Sequence, residues 1–435
     1  MSELQKSFAK SRLAKLPPEV PVFDERDEET EEDHATIAML HEHHDDDSSS
    51  ASSASSTGTV RPSPSQNLFA RTPRAPASRT AATPLSWMDF FDRELFIEQD
   101  VGDLHITHHA YISSPSGSGP LFVTHHGAGS SGLSFAACAA EIKNILPTAG
   151  ILSLDARNHG QTTSTVTSQE GDQPKSQAEL DLNLETLSGD LVFVIEQTRL
   201  KMNWDSLPDL VLVGHSLGGA VVTDAAKRGQ LGSKLLAYAV LDVVEGSAMD
   251  ALQSMETYLS TRPSSFPSLA SGIEWHTRSR TIRNTISARV SVPSLLREEP
   301  ADPSRPWKWR TDLAATKPFW ENWFIGLSKK FLEARGGKLL LLAGTDRLDT
   351  ELTIGQMQGK YQLQVFPEAG HFIQEDQPAK TAQILVDFYK RNDRSALVLP
   401  PKVGDILAAK AMAKGPGTGP GVFPPGGGWK KPGGL

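Results

Sequence analysis

Eight short apolar runs along the middle of the chain constrain its fold more than any other feature. They are "ELFIEQD", "LHITHHAYI", "PLFVTHH", "GILSLDA", "LVLVGH", "LLAYAVLDV", "KLLLLAG" and "YQLQVFP". Several are nearly continuous in apolar residues, as strands covered on both faces are. Helical patterns separate the later runs. The clearest begins at Ser176, with Glu179 three residues on as a capping box, and carries Leu180, Leu184, Leu187, Leu191 and Val194 on one face. Another helix follows Ser216, and one over about residues 378 to 390 closes the series. Two leading strands in a hairpin followed by β-α alternation predict an α/β fold: a mostly parallel central sheet with helices on both faces.

The rhythm is interrupted over about residues 246–335. Helix-like pieces and many aromatics occur there without a clear strand, which predicts an inserted helical lid within a domain spanning 85–395. Residues 1–84 hold "FDERDEETEEDH" and "HEHHDDDSSSASSASSTG" with few apolar anchors. Such a segment cannot bury enough surface to offset the entropy of ordering, so it is expected to be disordered. His41, His43 and His44 beside Asp45 to Asp47 read as a solvated acidic tract, not a metal site. Residues 396–435, rich in Gly and Pro, read as a flexible tail. The low apolar fraction, 38%, fits a packed core diluted by such segments.

A formal net charge of −9 argues against a nucleic-acid or anionic-membrane partner, since both recruit basic surfaces. No apolar run approaches the roughly 18 residues needed to span a bilayer. The N-terminus lacks the apolar core of a secretory signal. Cys138 is the sole cysteine, which fits a reducing cytoplasmic or nuclear setting.

The stretch "LVLVGHSLGGA" sets a serine between two glycines at the end of a buried-strand pattern, with a helix continuing beyond it. The Gly-x-Ser-x-Gly spacing alone is weak evidence; its strand-to-helix context is specific. Gly214 and Gly218 leave room for a strained backbone, and Ser216 is thrust outward at the strand's C-terminal end. A serine hydroxyl is a poor nucleophile at neutral pH and needs a base. "YQLQVFPEAGHFIQED" supplies His371 at the bend after the last strand, the position for a general base in this sheet order. A third group must accept the imidazole N–H. Asp242, ending "LLAYAVLD", is one candidate; Asp346 or Asp349 in "AGTDRLD" is the other. In the commonest form of that second site the acid lies three residues after the glycine, where this chain has Arg347, so the residues favour Asp242. The remaining aspartate is expected to cap its turn. Oxyanion donors are expected from "HHGAGSSG", through the N–H of Ala128, and from the N–H of Leu217. The lack of a Gly-Lys-Ser/Thr ending discounts a phosphate loop. "LDARNHGQTT", with Asp155, Arg157 and His159, reads as a buttress beside the site.

These residues together resemble the α/β-hydrolase family. Longer strings narrow the resemblance. "VLDVVEGSAMDALQSM", "SARVSVPSLL" and "FWENWFIGLSKKFLEARGGKLLLLAGTDRLDTELTIGQMQGKYQLQVFPEAGH", with the opening "MSELQKS", are similar to the protein phosphatase methylesterases. The similarity covers about residues 84–395. It implies an α/β-hydrolase fold and hydrolysis of the methyl ester on the C-terminal leucine of the type 2A protein phosphatase catalytic subunit. It also implies Ser216, Asp242 and His371 as nucleophile, acid and base, no metal or organic cofactor, and docking to the phosphatase that reorders the esterase site. Two other readings stay open, a broad small-ester carboxylesterase and a protein that chiefly binds and inhibits the phosphatase. Trp307, Trp309, Phe319, Trp320, Trp323 and Phe324 concentrate in the lid, either as partner anchors or as packing. Arg278, Arg280, Arg283 and Arg289 could meet an acidic peptide tail or remain solvated.

Overall fold

A computed structural model describes residues 82–166, 180–300, 302–344 and 348–393. The acidic N-terminal tract, the capping box at Ser176, Asp346 and the Gly/Pro-rich tail lie outside the described residues.

All eight apolar runs form strands of one sheet. Strands β1 (Arg93–Val101) and β2 (Leu104–Ser113) make the expected antiparallel hairpin at one edge. They are followed by β3 (Leu121–His125), β4 (Gly150–Leu154), β5 (Thr163–Val166), β6 (Leu210–His215) and β7 (Leu235–Leu241). After three short strands in the insertion, β8 (Ser265–Phe266), β9 (Leu296–Glu298) and β10 (Trp307–Trp309), come β11 (Gly337–Leu342) and β12 (Gln362–Val365). The order is β1-β2-β4-β3-β6-β7-β11-β12, with β5 paired to β2. From β4 to β12 every pairing is parallel. The edge strand β1 buries only Leu95 and Ile97, two residues apart and facing one side, whereas β3, β4 and β6 are buried along their whole length.

The helices divide between the two faces. They are α1 (Ala136–Ile145), α2 (Leu184–Lys201), α3 (Leu217–Arg228), α4 (Glu245–Thr261), α5 (Leu269–Arg278), α6 (Thr285–Leu295), α7 (Trp320–Phe324), α8 (Leu327–Glu333), α9 (Thr350–Met357), α10 (Ile373–Asp376) and α11 (Pro378–Asn392). Because side chains alternate along a strand, Leu210 and Leu212 of β6 join Leu187, Leu191, Val221 and Ala225 of α2 and α3 in one core. Val211 and Val213 join Cys138 and Ile142 of α1 and Leu385 and Val386 of α11 in the other. Among the described residues, no helix is long and apolar enough to cross a membrane.

Two features differ from the sequence reading. Helix α2 begins at Leu184, and Leu180 lies in the preceding turn. The Asn183 side chain makes no capping bond; instead Asn322, from the insertion, accepts the Leu184 N–H at 2.7 Å. A cap donated from so far along the chain leaves no local signal. The insertion also contains strands: β8, β10 and β9 form a small antiparallel sheet pairing Phe266 with Trp307 and Trp307 with Glu298. Runs of two or three residues carry too little alternation to read from sequence. Its aromatics mostly serve packing. Trp320, Trp323 and Phe324 are buried in the core shared with α2 and α3, while Trp307, Trp309 and Phe319 stay partly exposed.

Burial keeps many histidines neutral. His125 and His276 are pushed down to about 4, and His215 to about 3, in each case chiefly by desolvation. His108, His126 and His159 move the same way for the same reason. Between pH 6.5 and about 4 the unfolded chain binds protons at these positions and the folded chain does not, so stability falls as pH falls. Glu375 and Asp376, raised by burial, act in the opposite sense, but six imidazoles outnumber them. Urea melts from pH 7.5 to 4.5 are expected to show steadily falling stability below pH 6.5; a flat profile would contradict this.

Candidate active site

The site forms at the C-terminal ends of the central strands. Ser216 stands between β6 and α3 with φ 52° and ψ −120°, a conformation that strains any residue with a Cβ. The flanking glycines make that bend possible. A Cβ on Gly214 would lie 2.0 Å from the Gly218 carbonyl oxygen, and one on Gly218 would lie 2.0 Å from that of His125. Neither neighbour is a side chain that could swing away. Gly218→Ala is therefore expected to destabilise the fold by about 3 kcal/mol, the upper end for overpacking. A chemical melt checks this, and a change below about 0.5 kcal/mol would contradict the geometry.

His371 and Asp242 are joined. The imidazole Nδ1–H donates to Asp242 Oδ2 at 2.8 Å, and the aspartate is wholly buried while the histidine side chain is 45% exposed. Asp242 follows β7 with φ 51°, a left-handed conformation that aspartate tolerates better than most residues. Its Oδ1 accepts the Ala343 N–H at 2.9 Å, and its own N–H donates to the Leu341 carbonyl at 2.8 Å. The carboxylate is thus aimed with Oδ2 toward the ring. With Nδ1 carrying the proton, Nε2 of His371 is left as the basic nitrogen. Asp349 is occupied elsewhere: it caps α9 through Leu352 N–H at 2.9 Å and accepts the Ser328 hydroxyl.

Among the described residues, no hydrogen bond joins Ser216 Oγ to His371. The two are nevertheless neighbours. His215, adjacent to Ser216 in the chain, has its ring centroid 4.7 Å from that of His371 and donates from Nε2 to the His371 carbonyl at 2.9 Å. His215 occupies the variable position of the serine motif, so its location was legible in sequence, but its grip on the histidine loop was not.

The Gly-rich loop after β3 closes the other side. A Cβ on Gly127 would stand 3.0 Å from Ser216 Cβ, so this loop passes directly against the serine. His159 Nε2 accepts the Gly129 N–H at 2.9 Å, while its Nδ1–H donates to the Arg157 carbonyl at 2.8 Å. That bond occupies the Gly129 amide and leaves Ala128 as the loop's candidate donor. Leu217 is the first residue of α3, where an N–H has no acceptor one turn earlier. The loop after β4 is a scaffold: Asp155 accepts the N–H groups of Gly132 and Gln161 and pairs with His109, and Arg157 makes a buried two-point contact with Asp190 at 2.9 and 2.8 Å. No cluster of three or more metal-ligating side chains occurs among the described residues.

Arg278 pairs with Glu274 on its own helix, and Arg289 donates to the Thr83 carbonyl at 2.6 Å. Arg283 and Asp376, neither distinguished by a local motif, bear on the histidine loop through Glu368 and Gly370.

A strained serine bend thus stands on a mostly parallel sheet with a histidine–aspartate pair beside it, and the profile of the alpha/beta hydrolase family matches residues 121–384. E-2-(acetamidomethylene)succinate hydrolase has the same fold, with a TM-score of 0.51 at 17% identity over 68% of this chain and 100% of its own. Protein phosphatase methylesterase 1 of Aspergillus oryzae is 67% identical over 96% of both chains, and that of Schizosaccharomyces pombe 46% identical over 73% of this chain and 88% of its own. The chain belongs to the α/β-hydrolase family and, within it, to the protein phosphatase methylesterases, which are carboxylic ester hydrolases.

Proposed function

We propose that this chain removes the methyl ester from the C-terminal leucine of the type 2A protein phosphatase catalytic subunit, with Ser216 as nucleophile, His371 as general base and Asp242 as the acid that orients it. The observation that carries the reading is the 2.8 Å contact between His371 and the buried Asp242, set beside a serine held in a strained bend. His371 Nε2 would take the hydroxyl proton as Ser216 Oγ attacks the ester carbonyl. The N–H groups of Leu217 and Ala128 would hold the oxyanion. His371 then protonates methanol as it leaves, and water attacks the acyl-serine by the same route to release the carboxylate. No metal or organic cofactor takes part in this scheme.

Methanol is too small to provide selectivity, so recognition must come from gripping the peptide and the folded phosphatase. The inserted segment supports this role, since Leu313 packs over Gly129 of the oxyanion loop and Thr311 donates to the Asn158 carbonyl at 3.1 Å. The Ser216–His371 bond, not made in this structure, is the contact that partner docking would complete. Incubation with C-terminally methylated phosphatase, read by mass spectrometry of its C-terminal peptide, tests the proposal. Loss of 14 Da (about the mass of one methylene, the difference between ester and acid) is expected; an intact methyl would overturn it.

A further inference from the structure

The short helix α10 begins two residues after His371 and places two acidic side chains against the insertion. Asp376, whose side chain is wholly buried, accepts the Gly370 N–H at Oδ2 and the Arg283 N–H at Oδ1, each at 2.7 Å. Arg283 lies between α5 and α6. Its Nε is 3.7 Å from Asp376 Oδ2, and its Nη1 donates to the Glu368 carbonyl. A Cβ on Gly370 would meet Asp376 Oδ2 at 3.1 Å and the Arg283 guanidinium at 3.4 Å, so both side chains press on the residue before His371. A second tie runs in parallel: Ser291 of α6 donates to Glu375 Oε2 at 2.6 Å, and Ser287 to the Glu375 carbonyl at 2.8 Å.

We infer that Arg283 and Asp376 form a strut through which the inserted segment sets the position of His371; the inference rests on the triad proposed above. Side chains from several elements anchor the histidine loop, Lys380 among them through Glu368. Asp242 holds the ring and His215 holds the His371 carbonyl, and both come from the sheet. Asp376 with Arg283 holds Glu368 and Gly370 and ties them to the insertion. Since Ser216 and His371 do not bond in this arrangement, a productive one needs a shift of the loop or the serine. A displacement of the segment around Arg283 is delivered directly to Gly370. Arg283 is a positioning residue, because it acts through the backbone that carries His371. Burial raises the Asp376 carboxyl, and the Arg283 guanidinium and two N–H donors oppose that and favour the ionised form on which the strut depends.

The test uses full-length Arg283→Ala, Arg283→Gln, Arg283→Lys and Asp242→Asn proteins, with methylated phosphatase as substrate. Arg283→Ala keeps the backbone N–H bond to Asp376, so folding is retained; a thermal melt verifies this, and Arg283→Gln, which removes the charge but keeps a long side chain, carries the same expected loss if it is not. A loop displaced by a fraction of an ångström lowers kcat by about tenfold. The expected result is that loss with KM changed less than twofold, a parallel fall in the rate of fluorophosphonate labelling of Ser216, and substantial recovery in Arg283→Lys. Unchanged kcat in Arg283→Ala, with Asp242→Asn inactive, overturns the strut and leaves the triad standing. Full activity in Asp242→Asn overturns both.

Discussion

Ser216→Ala is expected to lower turnover of methylated phosphatase by about 10⁴- to 10⁶-fold, because the acyl-serine route is removed and only binding and oxyanion stabilisation remain. Stability should hardly change. Ser216 Oγ makes no hydrogen bond with His371 among the described residues, and alanine keeps the Cβ, so the shift should stay within about 0.5 kcal/mol. Ser216→Gly sharpens the point. The backbone at φ 52° and ψ −120° costs a residue with a Cβ about 1–3 kcal/mol and costs glycine little. Glycine should therefore abolish activity while raising stability by about 1 kcal/mol, as expected where strain is held for function. Denaturant melts beside initial rates measure both quantities. An active Ser216→Ala protein would remove the nucleophile assignment, and a destabilised Ser216→Gly protein would remove the strain argument.

Asp242→Asn is expected to lower kcat by about 10⁴-fold with the fold intact. An asparagine at this position can turn its NH₂ toward the imidazole. His371 would then carry its proton on Nε2, where it cannot accept one from the serine. The Ala343 N–H can still be accepted by the remaining oxygen, which is why folding should survive. Asp349→Asn is the informative companion. Its carboxylate serves Leu352 and Ser328, and asparagine caps a helix as well as aspartate does, so the change should cost less than about 0.5 kcal/mol and leave kcat within a fewfold of the parent. Reversed effects in the two variants would move the acid from the end of β7 to the turn after β11.

The sheet was legible because its central strands are buried on both faces: β3, β4 and β6 can hardly be written without continuous apolar residues. The serine bend was legible for a related reason, since backbone oxygens 2.0 Å from where a Cβ would stand leave only glycine at 214 and 218. Two aspartates at the ends of neighbouring strands were harder to separate, because both sit at the same edge of the sheet. Only the third dimension shows that Asp242 reaches His371 while Asp349 folds back on its own helix. What sequence hid was long-range polar contact. Asn322 capping α2, His159 holding Gly129, and Arg283 meeting Asp376 each join residues whose local context is unremarkable in composition. The strands of the insertion carry no clear signal either, because β8, β9 and β10 are defined by their pairing and hardly at all by their own residues.

The central claim is that one strained hydroxyl, made nucleophilic by the His371–Asp242 pair, carries out the ester cleavage. Its most direct test is to react the native chain with a fluorophosphonate, locate the adduct by peptide mass spectrometry, and follow methyl-ester turnover in the same sample. A single adduct on Ser216, formed in step with loss of turnover and about 10²-fold more slowly or worse in Asp242→Asn, is the predicted result. Adduct formation at another residue, or turnover that persists once Ser216 is fully modified, would contradict it.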